Sequence, residues 1–184
     1  PQHSPGDEKC DSERGRGAQL ATGGSAASHD WLLFLHSDTV LDAGWHEEVA
    51  ALIGKIEAGR HAPSAAAFRF ALDDPGIVAR VIEWGVAMRC SACAMPYGDQ
   101  GLLISRTLYN EVGAFRPMPL FEDVDIVRRL GRRRLTLLRS RAVTSASRFR
   151  RGGYGARVMR NWICVALYYL GFSTERIAKI YHAR

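Results

Sequence analysis

Trp31-Leu32-Leu33-Phe34-Leu35-His36-Ser37-Asp38-Thr39 decides the fold reading, because an unbroken apolar run passes directly into a polar His-Ser-Asp tip. A run of this length without alternation suits a central strand covered on both faces, as in parallel α/β sheets. Ligands of such sheets bind just beyond the carboxyl ends of the strands. Asp38 therefore falls where a carboxylate can hold a divalent cation against a phosphate.

Outward from this strand, helices and strands alternate. Small residues over 18–27 suit a helix packed closely on a sheet. Asp42 is placed to cap a helix in which Trp45, Val49, Leu52, Ile53 and Ile56 form one apolar face. A strand is expected over 65–71, a turn at Asp73-Asp74-Pro75-Gly76, and a helix over 77–90 with Val78, Val81, Ile82 and Val86 inward. The polar loop 96–101 precedes a short strand over 102–104 and a short helix over 107–112, which Gly113 stops. Further on come a helix over 121–130, strands over 135–138 and 142–144, and helices over 155–170 and 174–182. No internal repeat is visible, and the alternation implies a mostly parallel α/β sheet flanked by helices.

Bulk properties restrict the partners. At 184 residues the chain fits one domain with a real core, and 47% apolar with 24% charged residues is ordinary globular composition. A net charge of +6 and a pI near 9.5 favour anionic partners: nucleotide phosphates, nucleic acid or an acidic membrane surface. The four cysteines include one close pair, Cys90 and Cys93, without the second pair a structural zinc site needs. Ordinary thiols in a reducing cytoplasm are the expectation. Residues 1–17 read as a polar lead-in without the apolar segment of a signal peptide. The longest apolar stretch, Trp162 to Leu170, is about half of a membrane span.

Asp38, Asp99 and the Glu122-Asp123 pair stand at a strand end, in a glycine-flanked loop and at a helix start. Each has a plain structural reading. Asp38 can cap a turn, and Glu122 and Asp123 can be first-turn acids that favour the helix dipole. By helical spacing Arg128 lies beside Glu122 and Asp125, a pair of small energetic weight. The arginines at 128, 129, 132, 133, 134, 139, 141, 148, 150 and 151 read equally well as a solvated basic face or as an anion-binding surface. The helix around Trp162, Tyr168 and Tyr169 reads as core or dimer contact, or as a membrane-facing segment.

Taken in order, Phe34-Leu35-His36-Ser37-Asp38-Thr39, Pro96-Tyr97-Gly98-Asp99-Gln100-Gly101 and Phe121-Glu122-Asp123-Val124-Asp125 resemble family 2 glycosyltransferases with the A-type fold. The closest likeness is to the radical-SAM/selenodomain-associated branch. Gly15-Arg16-Gly17-Ala18-Gln19, Val143-Thr144-Ser145-Ala146-Ser147-Arg148, Arg160-Asn161-Trp162 and Ser173-Thr174-Glu175-Arg176 also match. The resemblance covers roughly residues 15–184. It divides the chain into a lead-in (1–14), a partial A-type α/β domain (15–153) and a C-terminal helical segment of that domain (154–184).

This resemblance implies an inverting, metal-dependent transfer of a sugar from a nucleotide-sugar donor to an acceptor hydroxyl. Mg²⁺ or Mn²⁺ would be held by Asp38, with His36 standing where the family has its first aspartate. Because hard cations prefer oxygen, His36 reads as either a ligand or a residue behind the ligand. Arg16, Ser37, Asp38, Arg148 and Arg151 would bind the nucleotide sugar. Asp123 would act as general base with Glu122 beside it, and Asp99 and Gln100 would face the acceptor. No Gln-x-x-Arg-Trp sequence of processive synthases occurs, so a single transfer is implied.

The family's first two strand–helix units normally precede the Gly-Arg segment, and residues 1–14 resemble neither of them. Weak nucleotide-sugar binding by this chain alone is therefore expected, as from a fragment, an inactive relative or a partner-completed one. A second function class stands beside the first: a non-enzymatic basic module that binds nucleic acid or an anionic membrane. The enzyme reading expects no nucleic acid, a cytoplasmic location with peripheral attachment at the inner face of the membrane as an option, and leaves acceptor and oligomeric state open.

Overall fold

The computed structural model describes residues 15–93, 95–147, 150 and 153–182. The lead-in 1–14, Arg148 and Arg151 lie outside the described residues. In chain order the elements are α1 (Arg16–Ala26), β1 (Trp31–Phe34), β2 (Thr39–Leu41), α2 (Trp45–Glu57), β3 (Ala65–Leu72) and α3 (Ile77–Cys93). There follow β4 (Leu102–Ser105), α4 (Arg106–Glu111), α5 (Glu122–Leu130), β5 (Leu135–Thr144), α6 (Tyr154–Tyr169) and α7 (Thr174–His182).

The strands form one five-stranded sheet in the order β1-β4-β3-β5-β2. β3 and β5 pair in parallel, whereas β1–β4, β3–β4 and β2–β5 are antiparallel. The protein is α/β, but its sheet is mixed. This corrects the expectation of a mostly parallel sheet. The cause lies in α3, which runs along the sheet's edge instead of crossing a face. Arg80 near its start donates to Leu72 O (3.2 Å), and Arg89 near its end donates to Gln100 Oε1 (3.4 Å). The chain thus re-enters the sheet at the edge it left, and β4 must run backwards.

β1 is covered on both faces as expected, yet among the described residues it pairs only with β4 and sits at the sheet margin, not centrally. Side-chain alternation sorts the two faces. Leu32, Leu102 and Ile104 join Leu108, Ile126 and Leu130 under α1, α4 and α5. Leu33, Leu103 and Phe68 join Val49 and Leu52 of α2 on the other face. Between the layers, Ala65, Ala66 and Ala67 are wholly buried, their small side chains allowing close packing.

Two further expectations change. Residues 135–144 form one strand with a register shift against β3 between Ala67 and Arg69, not two strands. The irregularity frees the N–H groups of Arg139 and Ser140, and Glu48 of α2 accepts both at 2.8 and 2.9 Å, with Ser140 Oγ at 2.6 Å. Burial pushes the Glu48 carboxyl upward, but these donors outweigh it and hold the group below its ordinary range. Glu48→Ala is expected to cost about 1–2 kcal/mol by stranding those donors, checked by urea denaturation. Asp42 does not cap α2. Gly44 occupies that position, and Asp42, directly after the unforeseen strand β2, instead accepts from Arg141 Nε of β5 at 2.8 Å.

On α5 Asp125 pairs with Arg129 (2.7 Å) and with Arg116 (3.5 Å), not with Arg128. Arg129 also donates to Val112 O and Ala114 O, clamping a bend in which Ala114 has φ 52°. Arg128 stacks over Tyr168 and Tyr169, 5.5 and 5.1 Å from the ring centroids. Arg132, Arg134, Arg141 and Arg150 likewise have carbonyl or carboxylate partners within the chain. Much of the arginine-rich stretch is thus engaged internally. Among the described residues, no helix is long and apolar enough to cross a membrane.

Candidate functional site at one edge of the sheet

The carboxyl ends of β1, β3 and β5 and the starts of β4 and β2 share one edge, as their registers require. The loops that leave and enter there carry the acidic residues. Asp38 lies in the tight turn from β1 to β2, where Thr39 N–H donates to His36 O (3.1 Å) and Ser145 N–H to Asp38 O (3.1 Å). Within this turn His36 Nδ1 stands 3.2 Å from Asp38 Oδ1. Thr39 and Thr144 hydroxyls, 2.9 Å apart and buried, tie the turn to the end of β5.

Asp99 sits in a one-turn 3₁₀ helix, Gly98–Gln100, before β4. Gln100 holds that turn together. It is 2% exposed, donates to Phe68 O (2.9 Å) and accepts from Tyr97 N–H (3.3 Å), Arg89 and the Cys90 thiol (3.2 Å). Cys90 is a buried thiol, and burial pushes it up although Arg89 and the bond to Gln100 oppose that. Arg89 also lies 3.7 Å above the centre of the Tyr97 ring.

Asp123 and Glu122 open α5. Phe121 precedes them in the left-handed region (φ 69°, ψ 21°), a conformation costing a bulky residue about 1–3 kcal/mol. Tertiary packing holds it there, with its ring 5.0 Å from that of Tyr168 and Cys164, Val165 and Ile177 of the C-terminal helices around it. The turn aims Asp123 at the preceding loop, where Gly98 N–H donates to Asp123 Oδ2 (2.6 Å) while Val124 N–H donates to Oδ1 (2.8 Å). A side chain at Gly98 would press on that carboxylate and on Arg16. Glu122 is buried against Arg16 (Nε–Oε1 3.0 Å), the first residue of α1. Gly17 lets α1 approach, since a Cβ there would stand 2.8 Å from Met118 N.

Asp38, Asp99, Glu122 and Asp123 line one cavity of about 370 Å³, together with Arg16 and Arg89. A neighbouring cavity of about 270 Å³ shares Arg16, His36, Tyr97 and Asp123 with it and is also lined by Ser37. Among the described residues, two guanidinium groups and four carboxylates line the larger cavity. The consequences are visible in the acids. Burial, with Asp123 nearby, pushes Asp99 up to about 6 although Arg89 and Arg16 oppose it. Asp99 Oδ1 is shielded from solvent without a hydrogen-bond partner among the described residues. Burial and the Asp123 charge also raise Glu122, and burial pushes the Tyr97 phenol up to about 12.

Among the described residues, no group of three His, Cys, Asp or Glu is arranged to hold a metal ion. Mg²⁺, however, commonly takes one or two carboxylates and completes its octahedron with substrate phosphates and water. Asp38, which lines the larger cavity beside three other carboxylates, fits that minimal role. His36 fits the part of a neighbour that orients Asp38.

Gln100, expected beside the acceptor, lines neither cavity, because its amide is engaged by the backbone of its own loop and of β3. Arg148 and Arg151 fall outside the described residues. Arg89, Tyr97 and Phe121 were not singled out from sequence. For Phe121 the only available signal was its position before the acidic pair, and for Arg89 there was none. Neither the protein-family models nor the curated proteins compared with this chain gave a match.

Proposed function

We propose that this chain carries the metal- and acceptor-binding side of an inverting glycosyltransferase of family 2 with the A-type fold. One observation supports it above the rest: carboxylates from three distant parts of the chain, Asp38, Asp99 and Asp123, line a single cavity at the sheet edge. In this reading Asp38 holds Mg²⁺ or Mn²⁺, and the ion when bound neutralises the diphosphate leaving group. Asp123 accepts the proton of the acceptor hydroxyl as that oxygen attacks the anomeric carbon from the opposite side. Each oxygen of Asp123 accepts one backbone N–H and keeps a second lone pair for that proton. Arg16 compensates Glu122, and Glu122 braces the acidic turn.

The rival reading, a basic module for nucleic acid or anionic membrane, gives no reason for four carboxylates around one cavity. Paramagnetic Mn²⁺ separates the two. Mn²⁺ with uridine or guanosine diphosphate is expected to broaden NMR resonances around Asp38, Asp99 and Asp123, and Asp38→Ala is expected to remove the effect. Broadening that is independent of the diphosphate, or unchanged in Asp38→Ala, would count against the enzyme reading. Binding of an oligonucleotide with steep salt dependence would favour the other.

A further inference from the structure

Phe121 holds a backbone conformation that works against its own side chain. It stands at φ 69° and ψ 21°, directly before Glu122 and Asp123. This left-handed region suits glycine, and a bulky residue stays there only where its surroundings over-determine it. Here the surroundings are the C-terminal helices. The buried ring stands 5.0 Å from that of Tyr168 and shares its cluster with Cys164 and Val165 of α6 and Ile177 of α7. Tyr97 packs against the same cluster. It comes directly before Gly98, whose N–H donates to Asp123 Oδ2 at 2.6 Å. One apolar cluster therefore packs both the residue before the acidic pair and the residue before its donor. Asn161, Cys164, Val165 and Tyr181 of the same helices also line the larger cavity.

A glycine at position 121 would hold the left-handed turn whether or not α6 and α7 were seated on it. Phenylalanine makes the turn conditional on them, because its ring supplies the contacts that offset the backbone cost. Without that packing the residue relaxes to negative φ, and the acidic pair turns away from the Gly98 loop. We infer that Phe121 is a positioning residue: seating of α6 and α7 on its ring selects the turn that holds the Asp123 carboxylate on Gly98 N–H, and loss of that seat releases the carboxylate. The use of Asp123 as a base rests on the glycosyl-transfer reading above. The coupling of helices to turn does not.

The test reads the Gly98 amide proton by NMR in the full chain. A short charge-assisted bond to a carboxylate carries that proton downfield, and Asp123→Ala identifies the signal by removing its acceptor. Phe121→Val and Phe121→Gly both take away the ring, and both should lower the thermal midpoint. Only valine, β-branched and averse to positive φ, should also abolish the downfield signal; glycine should keep it. A residue that merely filled the core would not separate the two variants. A signal retained in Phe121→Val, or lost in both variants, would overturn the inference. Ile177→Ala, which loosens the seat from α7 without touching the turn, decides the question where the valine variant does not fold. It should weaken the signal in the parent chain and leave it unchanged in Phe121→Gly; no effect in the parent, or an equal effect in both, would overturn the inference. Kinetics keep the two readings apart. With Mn²⁺ and uridine or guanosine diphosphate glucose, Phe121→Val is expected to lower kcat for transfer or donor hydrolysis by about 10–100-fold with KM little changed, and Phe121→Gly to lower it far less. A lost signal with surviving turnover would remove Asp123 as the base and leave the coupling standing. Absence of turnover in every chain, with the signal behaving as expected, would sink sugar transfer alone.

Discussion

Asp99→Asn is expected to stabilise the protein at pH 8, measured in EDTA, by about 1–3 kcal/mol, the size of a pKa displacement of roughly two units discounted for the open side of the cleft. The sign follows from proton linkage. Burial makes the folded protein hold the Asp99 proton more tightly than the unfolded chain, with the folded value about 6 against an ordinary 3.8. From this group, stability is greatest below the ordinary value, falls as the pH rises towards 6, and is lowest above it. Asparagine keeps the shape and carries no charge, so that fall disappears. Thermal midpoints of the two proteins should nearly coincide at pH 3.5 and separate by several degrees at pH 8. Parallel curves across this range would mean that Asp99 carries no strained charge. In the proposed transferase reading, the same substitution should also weaken acceptor binding.

Asp123→Asn is expected to lower any sugar transfer, or slow donor hydrolysis, by about 10²–10⁴-fold, the usual weight of a positioned general base. The structure adds a cost to that variant. Asp123 accepts Gly98 N–H on one oxygen and Val124 N–H on the other, and an asparagine can satisfy only one of them. About 1–2 kcal/mol of stability should be lost with the activity, as a donor is left facing an amide NH₂. Denaturant titration beside the kinetic assay separates the two effects. Retained turnover in a variant destabilised to that extent would remove Asp123 as the base and leave it a brace for the Gly98 turn.

These paired expectations show where local sequence stops informing. The apolar strand before His36, the amphipathic α2 and the Asp73–Gly76 turn were legible because periodicity and turn chemistry act over a few residues. The acidic positions were legible as positions. Gln100 was not legible as a structural residue, because its burial depends on Phe68 O, 32 residues earlier. The division of β5 into two strands failed for a similar reason: Glu48 of α2, 92 residues from Ser140, satisfies the irregular stretch. The direction of β4 depended on the path of α3, and a helix with apolar residues on two sides gives no local sign of which face meets the sheet.

By itself the sequence determined an α/β chain with acids at strand ends and helix starts, since hydrophobic period, small-residue runs and glycine punctuation are properties of neighbours along the chain. Only the tertiary structure decided that β4 runs backwards, that Phe121 is held in a left-handed turn by its packing against the C-terminal helices, and that four carboxylates share one cavity. The physical reason is range. Propensity and patterning act within a turn or two, whereas desolvation and charge proximity, which raise Asp99 and Glu122, exist only where remote segments meet.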